Sequence, residues 1–504
     1  MDQQSTSLWH ATAAVPRFDA LTGELHADVT VIGAGITGLT AALLLAQRGK
    51  SVIVLEREIV AGGETGNTTA HITVAIDAGY SYVRRKYSLE EARLVADAQR
   101  SAVEKIAELV ERHGISCHFK RVPGYSYTEK RKYVSELKNE AAAAREAGLE
   151  AQWTDEVPLP FDTRGAIVWP NQAQFHAVEY LAGLAKACVE AGVRIFERTL
   201  VTGAHDGDPC VVETENGGRV TCGAIFQATN TPVSGFQQVH VKAHAYRTYA
   251  MSYRVTGDHP DGLFWDTADP YHYTRWQETD DGTFIIVGGM DHRTGEQEDT
   301  EESYESLNAY VREYFGSLPL VHRWSGQIIE PASGLPLIGG TGNVYVSTGY
   351  SGQGMTFGTV GAMIIADLIT GVENPWAAVF DVHRQRPHMT TREFITENLH
   401  FPAHLIPDRL TSLDVEAKST DEVHAGEGKI IKVGGKKIAA YRDDAGTLYC
   451  VSPVCTHMKC DVGFNQAEKT WDCPCHGSRF KPDGSVLNGP ARDPLEPIDL
   501  QEER

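Results

Sequence analysis

The chain has 504 residues, more than one ordinary core holds, so two or three domains are expected. Its 42% hydrophobic content is ample for globular folding, and a formal net charge of −21 argues against nucleic acid and anionic membrane surfaces as partners. No basic stretch followed by an apolar segment opens the chain, and the longest apolar runs are too short, or interrupted at Asp367, to span a bilayer. Five of the nine cysteines fall between Cys450 and Cys475, which suits a cytoplasmic protein with one dedicated cysteine site, not a disulfide scaffold.

Residues 1–27 are read as an N-terminal extension. The β-branched run Val29-Thr30-Val31-Ile32 then leads into Gly33-Ala34-Gly35-Ile36-Thr37-Gly38. An apolar helix-like stretch follows from Leu39 to Gln47, and then a second strand over 51–55 that ends in Glu56. This is a βαβ unit with a dinucleotide fingerprint. Gly33 makes the tight turn, Gly35 lets backbone approach a pyrophosphate, and Gly38 lets helix and strand pack closely. Glu56, eighteen residues beyond Gly38, is placed to bond a ribose hydroxyl, and its charge disfavours a 2′-phosphate. NAD and FAD share this fingerprint, so it leaves the cofactor open.

Further along, Ser88-Leu89-Glu90-Glu91 is a capping box that opens a helix to about His113, with Leu94, Ala98, Ala102, Ile106 and Leu109 on one face. Residues 177–191 read as a second amphipathic helix and 193–196 as a strand. Strands at 211–214 and 224–227 are followed by alternating patterns at 250–255, 271–277 and 283–287. Those alternations fit an antiparallel sheet that roofs a substrate chamber. Alternation places Tyr271, Tyr273 and Arg275 on one face. Arg275 can clamp a substrate carboxylate bidentately with a tyrosine hydroxyl assisting, or sit in an ion pair beside core aromatics. Tyr350, Tyr246 and Tyr249 are further candidates, and 288–292 is read as a turn near the cofactor.

Three separated stretches then carry a resemblance. They are the fingerprint, the segment Gly62 to His71 after the second strand, and the pair of glycine-rich runs Glu330 to Gly339 and Gly342 to Thr356. Together they resemble the FAD-dependent amine and amino-acid oxidoreductases, the D-amino-acid oxidase and sarcosine oxidase family. The resemblance implies an α/β FAD-binding Rossmann-like domain with an antiparallel-sheet substrate domain, discontinuous over 28–395. By this match Thr68, Thr69, Ala70, Gly352, Gly354, Met355 and Thr356 line the flavin. Gly33, Gly35, Ile36, Thr37, Gly38, Glu56, Arg57 and Val201 hold the rest of FAD. A helix opening near Met355 would aim its N-terminal N–H groups at the ring and favour negative charge there. Some relatives bind flavin covalently through a histidine near Thr68. His71 stands three positions later, so non-covalent FAD is expected, with His71 as a polar neighbour or core residue.

Residues 396–421, with Pro402 and Pro407, read as a linker, and 422–504 as a small all-β module of short strands at 429–433, 437–441 and 447–451. Within it stand Cys455-Thr456-His457-Met458-Lys459-Cys460 and Cys473-Pro474-Cys475-His476-Gly477-Ser478. A zinc site is the simplest alternative for such a cluster, but each arm mixes one Cys with one His and leaves one Cys idle. The pattern resembles the Rieske 2Fe–2S family. That implies Cys455 and Cys473 on one iron, His457 and His476 on the other, and a disulfide between Cys460 and Cys475. Such centres span about −150 to +300 mV. The family often has Gly where Lys459 stands and Tyr where Phe480 stands. Losing the phenolic donor leaves Ser478 as the side-chain donor to sulfur and predicts a potential below the top of that range.

The expected function is oxidation of a small amine or amino acid, with FAD taking a hydride and the cluster carrying electrons to a protein, a quinone or oxygen. Reverse flow from the cluster to the flavin or a partner oxygenase, and a redox sensor without turnover, are the competing readings. A second glycine-rich strand unit for NAD(P)H is missing.

Overall fold

The run 29–32 forms the inner half of strand Glu24–Ile32, which lies between Val52–Leu55 and Arg219–Gln227 and is parallel to both. A strand buried on both faces reads as a continuous apolar run, and its last four residues are all buried. In the computed structural model, which describes residues 6–236, 239, 242–297, 299–384, 417 and 419–500, this strand centres an eight-stranded sheet. The hairpin of Leu337–Thr341 and Val344–Thr348 closes one edge, and Arg194–Phe196 closes the other. Val29, Val31, Val52 and Val54 face a large core shared with helices Ile36–Gln47, Leu89–Arg112, Ala177–Glu190 and Gly354–Ile369. Ile53, Leu55 and Ile225 face a second core under the hairpin Val201–His205 and Cys210–Thr214.

A nine-stranded sheet forms the second layer, with the long strands Ala243–Val255, His272–Thr279, Gly282–Arg293 and Leu320–Pro331 at one side. Its pairings are antiparallel apart from Leu263–Trp265, which runs parallel to Lys120–Tyr127. The segment 288–292 is not a turn. It lies inside strand Gly282–Arg293 and carries an irregularity: Arg247 pairs with His292 and Tyr249 with Gly289, so Met290 and Asp291 both oppose Thr248. Such a bulge bends a strand and re-aims side chains, and the glycine pair that suggested a turn serves it.

The module after 419 holds a three-stranded sheet (Gly428–Val433, Lys436–Arg442, Leu448–Val451) and a four-stranded one running from Gly463–Asn465 to Val486–Asn488. The linker expected over 396–421 lies outside the described residues except for 417 and 419–421. Among the described residues no helix is long and apolar enough to cross a membrane.

Candidate active site and cluster site

One cavity of about 400 Å³ runs from the end of the second strand, where Glu56, Arg57 and Val201 line it, past Gly33, Gly35, Ile36 and Thr37 to Thr68, Thr69 and His71. The glycines are required by space. A Cβ on Gly38 would lie 1.9 Å from the Gly33 carbonyl oxygen, and one on Gly33 would meet the Ala228 oxygen at 2.7 Å. Glu56 accepts the Ala34 and Glu58 N–H groups at 2.8 and 2.9 Å, and burial raises its carboxyl above the usual range. Helix Gly354–Ile369 opens on the cavity beside Gly352, Gly354 and Met355, and no side chain caps its first turn. An uncapped helix start and a glycine-lined backbone suit a dinucleotide with a reducible ring. Gly38, Ala70 and Thr356 are buried behind the wall rather than on it.

At the chamber end Tyr271 and Tyr273 line the cavity, their ring centroids 5.7 Å apart. Arg275 does not reach it. Four residues beyond Tyr271, about 13 Å along a strand, its Nε donates to the Thr69 carbonyl at 2.7 Å and its Nη2 to the Phe175 carbonyl at 3.0 Å. Its guanidinium carbon lies 5.1 Å over the Trp9 ring, and burial lowers its pKa to about 9. The carboxylate clamp expected of Arg275 is therefore corrected: the side chain braces the loop that carries Thr68 and Thr69. Trp9 braces the same loop from the short helix Leu8–Thr12, donating its indole N–H to the Thr68 carbonyl at 2.6 Å. Tyr350 lines the cavity with its hydroxyl engaged by Ser347 and Thr37, at 2.7 and 3.2 Å.

Sequence reasoning missed Asp77 and Asp291, both on the chamber wall. Asp291 Oδ2 accepts the Tyr271 hydroxyl at 3.1 Å, while Asp77 accepts the Gly352 N–H at 2.7 Å and the Gln353 amide at 2.5 Å. Burial raises the Asp291 carboxyl, the Thr248 and Tyr271 hydroxyls lower it, and the charge of Asp77 raises it again, for a value of about 6. Beside them His71 packs edge-on to Tyr273, and its Nδ1 lies 3.2 Å from the Thr69 hydroxyl. Burial, then the nearby Arg275 charge, push its imidazole down to about 3, so it is neutral.

In the second module each cluster loop closes on itself, Cys455 N–H donating to the Cys460 carbonyl and Cys473 N–H to the Ser478 carbonyl, both at 2.8 Å. Cys455 and Cys473 are buried thiols joined by a hydrogen bond. That bond, with the Ser478 hydroxyl and two backbone N–H groups, lowers Cys455 against the effect of burial, while Cys473 is raised. The His457 and His476 rings stand 5.0 Å apart. The sulfurs of Cys460, Cys473 and Cys475 lie close together, but Cys460 and Cys475 are disulfide-bonded and offer no thiolate. A pair of neighbouring buried thiols and a pair of neighbouring imidazoles, one of each from either loop, fit a Rieske cluster.

The two sites adjoin. Val486, Asn488, Ala491 and Arg492 of the cluster module line the cavity. Gln327 lines it too, and its side-chain amide donates to the Gly477 carbonyl, inside the second cluster loop, at 2.7 Å. Its backbone N–H meets one oxygen of Glu64 at 2.6 Å, and Asn488 meets the other at 2.9 Å. Gly477 approaches so closely that a Cβ there would lie 2.2 Å from that of Ala245. Arg247 spans the same boundary, donating to both oxygens of Glu468 at 2.8 and 2.7 Å, and Arg479 meets Glu468 at 2.5 Å.

A two-layer dinucleotide-binding fold with a sheet-roofed chamber, joined to a module whose Cys/His pairs fit an iron–sulfur cluster, defines a flavoprotein oxidoreductase with an iron–sulfur domain. The family model described as FAD dependent oxidoreductase matches residues 28–368, and that of the Rieske 2Fe-2S domain matches 414–499. The chain belongs to the FAD dependent oxidoreductase family and carries a C-terminal Rieske domain, so its cofactors are FAD and a 2Fe–2S cluster. It is 32% identical to YhfW of Bacillus subtilis (strain 168), named as a Rieske 2Fe-2S iron-sulfur protein, over 98% of this chain and 97% of that one. It is 24% identical to gamma-glutamylputrescine oxidoreductase of Escherichia coli (strain K12), over 76% of this chain and 93% of that one. The crystal structure of glycine oxidase from Geobacillus kaustophilus superposes with a TM-score of 0.62 at 18% identity, covering 72% of this chain and 99% of that one.

Proposed function

We propose that this protein oxidises a small amine at a carbon bearing nitrogen and passes the electrons to its own cluster, then to an external protein or quinone acceptor or to oxygen. FAD supplies a hydride acceptor that can release electrons singly, and the Rieske cluster accepts one at a time. The observation that carries this reading is Gln327, a single residue that both lines the cavity and bonds the cluster loop.

The chain's own residues support the chemistry. Tyr271 and Tyr273 keep their protons, because burial raises both phenols, so they serve as hydrogen-bond donors and walls rather than bases. A neutral His71 adds no charge that would hold an amine off. An amine must be unprotonated to give up hydride from its neighbouring carbon, and Asp291, with a carboxyl near 6, is placed to hold that proton. The relatives named for oxidising glycine and gamma-glutamylputrescine point to the same kind of bond. Holding both centres on one chain replaces diffusional encounter with a high effective concentration.

Anaerobic titration of the holoprotein with primary amines, secondary amines and amino acids tests the reading. Bleaching of the flavin by at least one of them is expected. Retention of full flavin absorbance across the panel contradicts it.

A further inference from the structure

The chamber end of the cavity is acidic and aromatic. Asp77 and Asp291 stand on its wall close enough for the charge of one to act on the carboxyl of the other. Asp77 reaches Gly352, where a Cβ would lie 2.8 Å from its Oδ2 and 3.6 Å from the Tyr271 hydroxyl, the same hydroxyl that donates to Asp291. Asp77 is exposed and lines the cavity. Four rings complete the enclosure. Tyr271 and Tyr273 stand 5.7 Å apart, His71 stands 5.7 Å from Tyr273, and Trp265 stands 6.5 Å from His71.

Among the described residues that line the cavity, no cation stands beside these two carboxylates. The arginines on the cavity wall are Arg57, which follows Glu56 at the end of the second strand, and Arg492, which points at the Thr202 carbonyl at 3.4 Å. Both belong to the opposite end, beside Val201. Arg275, on the same strand as the tyrosines, lies off the cavity wall, donating to two backbone carbonyls, and its charge acts on His71. A carboxylate entering the chamber would face two carboxylates and no neighbouring cation on the lining wall. An ammonium would find two carboxylates and a wall of aromatic rings, the side-chain types that bind organic cations.

We infer that the chamber selects a cationic aliphatic amine of the α,ω-diamine type and excludes α-amino acids, with Asp291 and Asp77 as the specificity-determining anions and the ring enclosure around them. This deepens the proposed amine oxidation and rests on it for the identity of the chamber. The cation is held whether or not it is oxidised.

The test is anaerobic calorimetric titration of the full-length holoprotein with short α,ω-diaminoalkanes, n-alkylamines of the same length, glycine and benzoate. Diamines are expected to bind at least about tenfold more tightly than monoamines, and the two carboxylates not at all. Asp291→Asn is expected to weaken diamine binding at least about tenfold, and Asp291→Glu to restore part of it. If Asp291→Asn fails to retain FAD, Asp77→Asn carries the same comparison. Benzoate or glycine binding as tightly as the diamines overturns the inference, and so does a diamine affinity unchanged in the asparagine variant. Tight, aspartate-dependent diamine binding without flavin bleaching supports it while contradicting amine oxidation. Bleaching by amino acids in a protein that ignores diamines does the reverse.

Discussion

Lys459 has a φ of 63°, in the left-handed region where a side chain costs about 1–2 kcal/mol and glycine costs nothing. The substitution was visible in the sequence as a departure from the family pattern, but the backbone angle that explains the usual glycine was not. Lys459→Gly removes that backbone strain and is expected to raise the unfolding free energy by about 1 kcal/mol, read by chemical denaturation of the holoprotein. Other single residues were less legible. Alternation places Arg275 with Tyr271 and Tyr273, but periodicity does not say where along a strand the cavity ends. Asp291 carried no signal beyond two preceding glycines, since its orientation depends on a bulge set by the partner strand. The cluster ligand candidates were easier, because their residue types and spacing are unusual enough to specify the chemistry.

At the scale of elements, helices were read well where a cap and a 3.6-residue period agree, as at Leu89–Arg112 with Ser88 accepting from Glu91 N–H. The long strands were recognised but cut short: Ala243–Val255 begins seven residues before the alternation at 250, where pairing with Leu320–Pro331 rather than apolar content holds the chain extended. Leu8–Thr12 was not anticipated. A five-residue helix has little periodicity, and its place comes from burying Leu8 and Trp9 against the loop it braces. The βαβ unit was the most legible element and gives the sharpest test. Gly38→Ala puts a Cβ 1.9 Å from the Gly33 oxygen and must push the helix off its strand. That change is expected to cost about 1–3 kcal/mol of stability. It should also lower the FAD retained after gel filtration, measured as flavin absorbance per protein.

At the scale of the whole molecule, the contact between the two modules could not be foreseen, because Arg247 and Glu468 are 221 positions apart and each alone reads as a surface charge. Burial alone would raise the Glu468 carboxyl, but Arg247 and Arg479 beside it hold it down to about 2, from an ordinary value of 4.5. A depressed carboxyl stabilises the fold above its unfolded value, and that stability is lost as pH falls from about 4.5 through about 2. The expected loss is about 3 kcal/mol, and Glu468→Gln should remove a similar amount at neutral pH while flattening the acid limb of a stability-versus-pH curve. Gln327 is the other connection. Gln327→Leu is expected to slow cluster reduction while leaving amine-driven flavin bleaching near the parent rate, read by stopped-flow absorbance. The most direct measurement of the account is rapid-freeze-quench electron paramagnetic resonance of the holoprotein after anaerobic mixing with an oxidisable amine. A reduced Rieske signal is expected to grow as flavin absorbance recovers, at a rate independent of protein concentration. A rate that scales with protein concentration, or a fully bleached flavin beside a cluster that stays oxidised, would contradict it.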